Sequence, residues 1–160
     1  MSRFNRLIGK TAKFTFEELK DNDVEVCLDL IKTVIAGSVH LKGPSILTLV
    51  GKSKGKIIGM ITGLVPQFPQ VSLNPRIFFL HPVDGKFARE GLTVMLLNEF
   101  IKEVKKRLPK ASYIDVIVNP RSVTYVVLYS LNGFVINGFV QGCSGSPDQV
   151  FLRGQLREKL

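Results

Sequence analysis

The sequence predicts an α/β (α+β) protein with one mixed, mostly antiparallel sheet flanked by helices. Three observations lead there. Strand-like and helix-like apolar patterns alternate in the order β-α-β-β-β-α-β-α-β-β along the 160 residues. Two of the apolar runs are separated only by GKSKG, whose glycines mark a hairpin and so an antiparallel pair. The helical patterns are amphipathic, as helices covering a sheet must be.

Taken in order, residues 13–18 (KFTFEE) alternate Phe14 and Phe16 with polar neighbours and read as a first strand. Val24, Cys27, Leu28, Ile31, Val34 and Ile35 then recur at helical spacing, with Asp21, Asn22 and Asp23 as N-cap candidates and Gly37 as a stop. Ser38 to Leu41 reads as a second short helix or a loop before Gly43-Pro44. Residues 45–50 and 56–65 form the hairpin strands, and the three prolines between Pro66 and Pro75 make a long loop that leads to a strand at Arg76–His81. A loop rich in Gly, Lys and Arg follows. Gly91 opens an amphipathic helix carrying Val94, Leu97, Ile101, Val104 and Leu108 on one face, and Pro109 ends it. Residues 112–118 are the next strand, a short helix bearing Tyr129 comes after the Asn119-Pro120 break, and strands near 134–141 and 149–156 finish the pattern.

Composition narrows the class. The length fits one domain, residues 1–160, able to bury a core without metal or disulfide support. Mean hydropathy is +0.19 and 45% of residues are hydrophobic, ordinary for a globular chain. The longest apolar stretch, Ile57 to Val65, is far short of the roughly 20 residues of a spanning helix. The N-terminus is basic without a signal-peptide core, so a cytoplasmic protein without membrane attachment is expected. Cys27 and Cys143 show no ligand spacing and no neighbouring His; Cys27 reads as core and Cys143, in QGCSGSP, as an exposed loop residue. The 22 Lys and Arg against 13 Asp and Glu give +9, a bias towards polyanions. Lys102, Lys105, Lys106 and Arg107, however, gather where a helix C-terminus favours cations without any ligand. No aromatic-basic stacking pattern or helix-turn-helix accompanies the charge, so nucleic acid ranks last among partners.

The segment from Tyr113 to Phe134 says most about function. An apolar strand, an Asn-Pro break and a short helix end in Tyr129-x-x-x-Gly133-Phe134, which sets one phenol near the end of a helix where it can donate a proton into a cleft. Val118, Pro120, Leu128, Tyr129, Gly133 and Phe134 resemble the second signature region of the GNAT acyltransferase superfamily, with Ser122 where many members carry Asn. The order of elements is similar to the GNAT order along nearly the whole chain. The resemblance implies a three-layer fold and acyl transfer, from acetyl-CoA or another acyl-CoA to an amine acceptor, with Tyr129 as general acid on the departing thiolate.

The same resemblance implies a pyrophosphate site at the start of the long helix, within Ala88-Arg89-Glu90-Gly91-Leu92-Thr93. Small residues are needed there because backbone N–H groups must approach a phosphate closely. Ala88 stands where Gln or Arg is expected, and Thr93 replaces the second small residue. Only Gly91 is on pattern, while Arg89 and Lys86 offer charge, Thr93 a hydroxyl, and Glu90 repulsion. In the family the preceding strand pairs its free backbone groups with the pantetheine arm, which here implies Phe78, Phe79 and Leu80. Ser122 is the remaining cofactor-side residue.

For a general base, Asp115 lies within a strand and Asp84 in the long loop, so no carboxylate stands out. His81 and His40 remain, as does a water chain. Tyr113 and Tyr125 read as packing residues. The competing reading is a binding or structural subunit of the same fold with little or no CoA binding, suggested by Ala88, Thr93, Ser122 and the missing base. Acceptor choice is expected to lie in Gly37–Ser45 and Val65–Pro75, and a homodimer would pair through the last strands.

Overall fold

The computed structural model describes residues 14–32, 40–67, 73–142 and 147–156. Seven strands form one sheet: β1 (Thr15–Glu18), β2 (Ile46–Ser53), β3 (Lys56–Leu64), β4 (Arg76–Pro82), β5 (Tyr113–Val118), β6 (Phe134–Val140) and β7 (Gln149–Gln155). The helices are α1 (Val24–Lys32), α2 (Gly85–Arg89), α3 (Leu92–Arg107) and α4 (Val123–Leu131). The order across the sheet is β1-β2-β3-β4-β5-β7-β6, and every neighbouring pair is antiparallel except β4 with β5. This is the mixed, mostly antiparallel arrangement the patterns predict.

Both sheet faces over β2 to β4 are covered. Leu92, Leu96, Leu97, Phe100 and Val104 of α3 pack with Leu47, Leu49, Ile61, Ile77 and Leu80 on one face, in a core that also takes in Ile114, Val116, Leu152 and Tyr129. On the other face Cys27 and Ile31 of α1 pack with Val50, Met60 and Phe79. Cys27 is the core residue expected: it is fully buried, and burial pushes its thiol up to about 11. Lys52 fastens the start of α1 to the sheet through Glu17 and Asp23, each 2.6 Å away.

Several boundaries differ from the sequence reading, each for a local reason. The hairpin turn is two residues, Lys54 and Gly55, both at positive φ (49° and 76°), so β2 runs on through Gly51 to Ser53. That is the geometry whose twist matches the flanking strands. Asp21–Asp23, offered as caps, instead form a 3-10 turn ahead of α1. The stretch after Pro82, read as a loop, contains α2, because the Asp84 side chain accepts a hydrogen bond from the Lys86 N–H at 2.7 Å and caps it. His40 and Leu41 have no regular structure, while Val34, Ile35, Gly37 and Cys143 lie outside the described residues.

Two glycines set where α3 begins. A Cβ on Gly51 or on Gly59 would lie 2.9 Å from a methyl of Leu92, the first residue of α3. The helix start therefore rests directly on the backbones of β2 and β3.

Candidate functional site

β4 and β5 are paired only at Arg76↔Asp115 and Ile77↔Val116. Beyond those two positions they part, although β4 continues to Pro82 and β5 to Val118. A bulge accompanies the parting: Gly63 of β3 faces Ile77 and Thr62 faces Phe79, so Phe78 is the extra residue. Gly63 makes it possible, since a Cβ there would sit 2.3 Å from the Arg76 carbonyl oxygen. The backbone groups of Phe78, Phe79 and Leu80 on the β5 side consequently have no strand partner and line a V-shaped cleft. Phe79 and Leu80 bury their side chains, whereas Phe78 is 45% exposed.

The wide end of the cleft leads, through α2, to the start of α3. Gly91 is the N-cap at φ 89°, and no atom lies within 4 Å of where its Cβ would be. The N–H groups of Leu92, Thr93 and Val94 precede the first helical bond, which Met95 donates to the Gly91 carbonyl, and the helix dipole favours an anion there. Leu92 and Thr93 turn their side chains inward, Ala88 is half-buried in α2, and Arg89, Lys86 and Glu90 are exposed. Backbone, not side chain, is what this corner offers an anion.

α4 closes the other arm. Asn119 organises its approach by accepting from the Arg121 N–H at 2.9 Å, and the Ser122 carbonyl accepts from the Tyr125 and Val126 N–H groups. Ser122 occupies the N-cap position with no side-chain cap bond. From the same helix Tyr125 reaches His81 at the end of β4, hydroxyl to Nδ1 at 2.9 Å, bridging the wide end of the V. Burial lowers the His81 pKa and raises that of Tyr125. Tyr129, one turn further on, is 2% exposed, sits edge-on to Phe134 at 5.2 Å between ring centroids, and is pushed well above the ordinary phenol range by burial.

The sheet face opposite α3 carries a polar cluster at the closed end. Asp115 is 3% exposed, yet both its oxygens are engaged. Arg153 Nε donates to Oδ1 at 2.8 Å and its Nη2 to Oδ2 at 3.1 Å, and Asn74 Nδ2 donates to Oδ2 at 3.0 Å. The Arg153 guanidinium lies between Tyr113 and Phe151, 5.2 and 5.5 Å from their ring centroids. Asp115 is thus committed to structure and is no free base. His40 is exposed on the segment before β2.

No family profile matches this chain, and no curated protein does at the sequence level. Solved structures do match. A ribosomal-protein-alanine N-acetyltransferase from Escherichia coli superposes with a TM-score of 0.73 at 18% identity, over 91% of this chain and 96% of that one. The fold is that of the GNAT acetyltransferases. NAA60 of Arabidopsis thaliana, solved with acetyl-CoA, matches at a TM-score of 0.73 and 14% identity over 89% of this chain and 98% of its own. A spermidine N-acetyltransferase chimera of Vibrio cholerae SpeG and hSSAT matches at 0.75 and 14% over 91% and 96%.

Within this GNAT fold the residues singled out from sequence fall into two groups. Phe78, Phe79 and Leu80 line the cleft on one arm, and Tyr129 and Ser122 belong to the helix on the other. Ala88, Arg89, Gly91, Leu92 and Thr93 make the corner at the wide end. Sequence reasoning missed the pairing of Tyr125, taken as a packing residue, with His81, kept among the candidate bases. Only their positions at a strand end and a helix start, on either side of one gap, hinted at it. Among the described residues no cluster of metal-ligating side chains occurs, and no helix is long and apolar enough to cross a membrane.

Proposed function

We propose that the protein is an acyl-CoA-dependent N-acyltransferase, with acetyl-CoA as donor, that passes the acyl group to an amine by direct attack in a ternary complex. The observation that carries this reading is the parting of β4 from β5 beside a helix start opened by Gly91. The cleft offers unpaired backbone groups of Phe78, Phe79 and Leu80 to a pantetheine arm, and the α3 amides offer themselves to a pyrophosphate.

In the proposed reaction the neutral amine attacks the thioester carbonyl, the N–C bond forms, and the C–S bond breaks. Tyr129 gives its proton to the departing sulfur, and the proton lost by the amine returns through water to the phenolate. Burial raises the pKa of Tyr129, which keeps the phenol protonated before the transfer but makes it a weaker acid, so the step relies on the basic thiolate forming beside it. Donor N–H groups near the Phe78 bulge would stabilise the developing oxyanion. The protein is further proposed to act as a homodimer through β6, an edge strand with Val135, Ile136, Phe139 and Val140 all more than half exposed.

A binding subunit with little CoA affinity is the second reading, favoured by the inward-facing Thr93 and by Ala88, which brings no polar side chain to the phosphate corner. Calorimetry with acetyl-CoA separates the two. Micromolar binding, abolished in Gly91→Trp and retained in Tyr129→Phe, supports the transferase, and a Tyr129→Phe enzyme that binds but turns over at least about tenfold more slowly supports the acid role. Absence of binding at millimolar acetyl-CoA by folded protein leaves the subunit reading.

A further inference from the structure

We infer that the amine acceptor carries a carboxylate close to its nitrogen, as a free apolar amino acid does, and that Arg76 is the residue that binds it. This rests on the acyltransferase reading above.

The phosphate corner lies past the C-terminal end of β4, so a donor threaded along the V would point its acyl end at the closed vertex, where Ile77 faces Val116. α3 and α4 share a core on one side of the sheet, and α1 covers the opposite face only as far as Phe79, which leaves the opposite face of β5, where Tyr113 and Ile117 are exposed, for the acceptor. Arg76 lies on that face: it stands opposite Asp115, which itself stands opposite Arg153. It is two residues, about 7 Å, from the bulged Phe78.

Chemistry then decides the ligand. Arg76 and Arg153 against Asp115 leave a formal +1 on these positions (2 − 1 = +1), with both Asp115 oxygens already taken by Arg153 and Asn74. Arg76 makes no ion pair among the described residues, and its Nε is buried without a hydrogen-bond partner. A buried donor left so is costly unless a ligand supplies the acceptor, and a guanidinium fork matches a carboxylate. Tyr113 and Ile117, two residues either side of its partner Asp115 on β5, are exposed at 42% and 37%, and Phe78, two residues along β4, at 45%, a surface suited to an apolar body. A polyamine would meet net positive charge and, among the described residues on this face, no free carboxylate for its ammonium groups, so the site selects against polycations.

The test uses three probes: L-leucine, L-leucinamide and spermidine. Titrated into the full chain, leucine is expected to shift the Arg76 Nε–Hε resonance, leucinamide to bind between about ten- and a hundredfold more weakly, and spermidine not to bind. In acetylation assays the leucine-to-leucinamide ratio of kcat/KM should fall from that range to about 1 in Arg76→Gln, with acetyl-CoA affinity by calorimetry unchanged. Spermidine or leucinamide preferred over leucine, or a ratio untouched by Arg76→Gln, overturns the assignment. If acetyl-CoA binds and leucine does not, the carboxylate seat is refuted while acyl transfer stands. If leucine shifts Arg76 but acetyl-CoA does not bind, acyl transfer is refuted and the acceptor role with it.

Discussion

The Nδ1 of His81 and the hydroxyl of Tyr125 stand 2.9 Å apart, tying the end of β4 to α4 across a gap that no strand pairing closes. Tyr125→Phe should therefore lower stability by about 1 kcal/mol, read as a shifted urea midpoint at unchanged slope. The pH dependence follows from His81, whose pKa burial lowers. The unfolded chain takes up the proton first, so this contribution is intact above about pH 6.5 and is lost as pH falls below it, towards the folded pKa. Melting curves between pH 7.5 and 5.5 should show the fall, and His81→Gln should flatten it; an equal slope in the variant would assign the effect elsewhere.

Gly59 should not tolerate a methyl group. Its Cβ would meet Leu92 at 2.9 Å, the His81 carbonyl at 3.0 Å and the Pro82 Cα at 3.2 Å, and two of those neighbours are backbone. Gly59→Ala is expected to cost about 1–3 kcal/mol and, by lifting the start of α3, to weaken acetyl-CoA binding as well. Differential scanning fluorimetry and calorimetry on the same sample read both; a stable variant with full affinity would show that the helix start adjusts freely.

Removing Arg153 strands a carboxylate. Asp115 is buried and would keep only Asn74, so Arg153→Leu should destabilise by about 3–5 kcal/mol, whereas Asp115→Asn with Arg153→Leu together should recover part of that loss. Denaturant titration of the two variants decides it. A single substitution no worse than the double would mean that the charge finds water.

β6 has an open edge and an apolar surface but no Lys, Pro or inward charge to blunt it. With Phe139→Lys, sedimentation velocity should show dimer giving way to monomer without loss of the far-ultraviolet spectrum. A monomeric parent protein would refute the pairing.

The strands and the long helix were legible because period-2 and period-3.6 patterns are properties of residues close together in sequence, as with Leu97, Ile101 and Val104, although Val94, expected on the same face, is not in the core. α2 was hidden because five residues give no period, and only Asp84 two residues before Lys86 signalled a cap. The cleft was harder still. It depends on where β4 stops pairing with residues 39 positions further on, Arg76 with Asp115 to Ile77 with Val116, and no local pattern carries that. Arg76 likewise looks like any strand arginine until Arg153 and Asn74 are seen to have taken the carboxylate beside it.

The two-position contact between β4 and β5 also makes the sheet a hinged object. β5 is joined to β7 at six positions and to β4 at two, so the molecule has a mechanical seam, crossed mainly by the side chains of α3 and by the His81–Tyr125 and Asn74–Asp115 bonds. Under tension, or in amide exchange, the β5-β7-β6 block should come away as a unit before either block frays. A molecule lodged in the V would act as a splint.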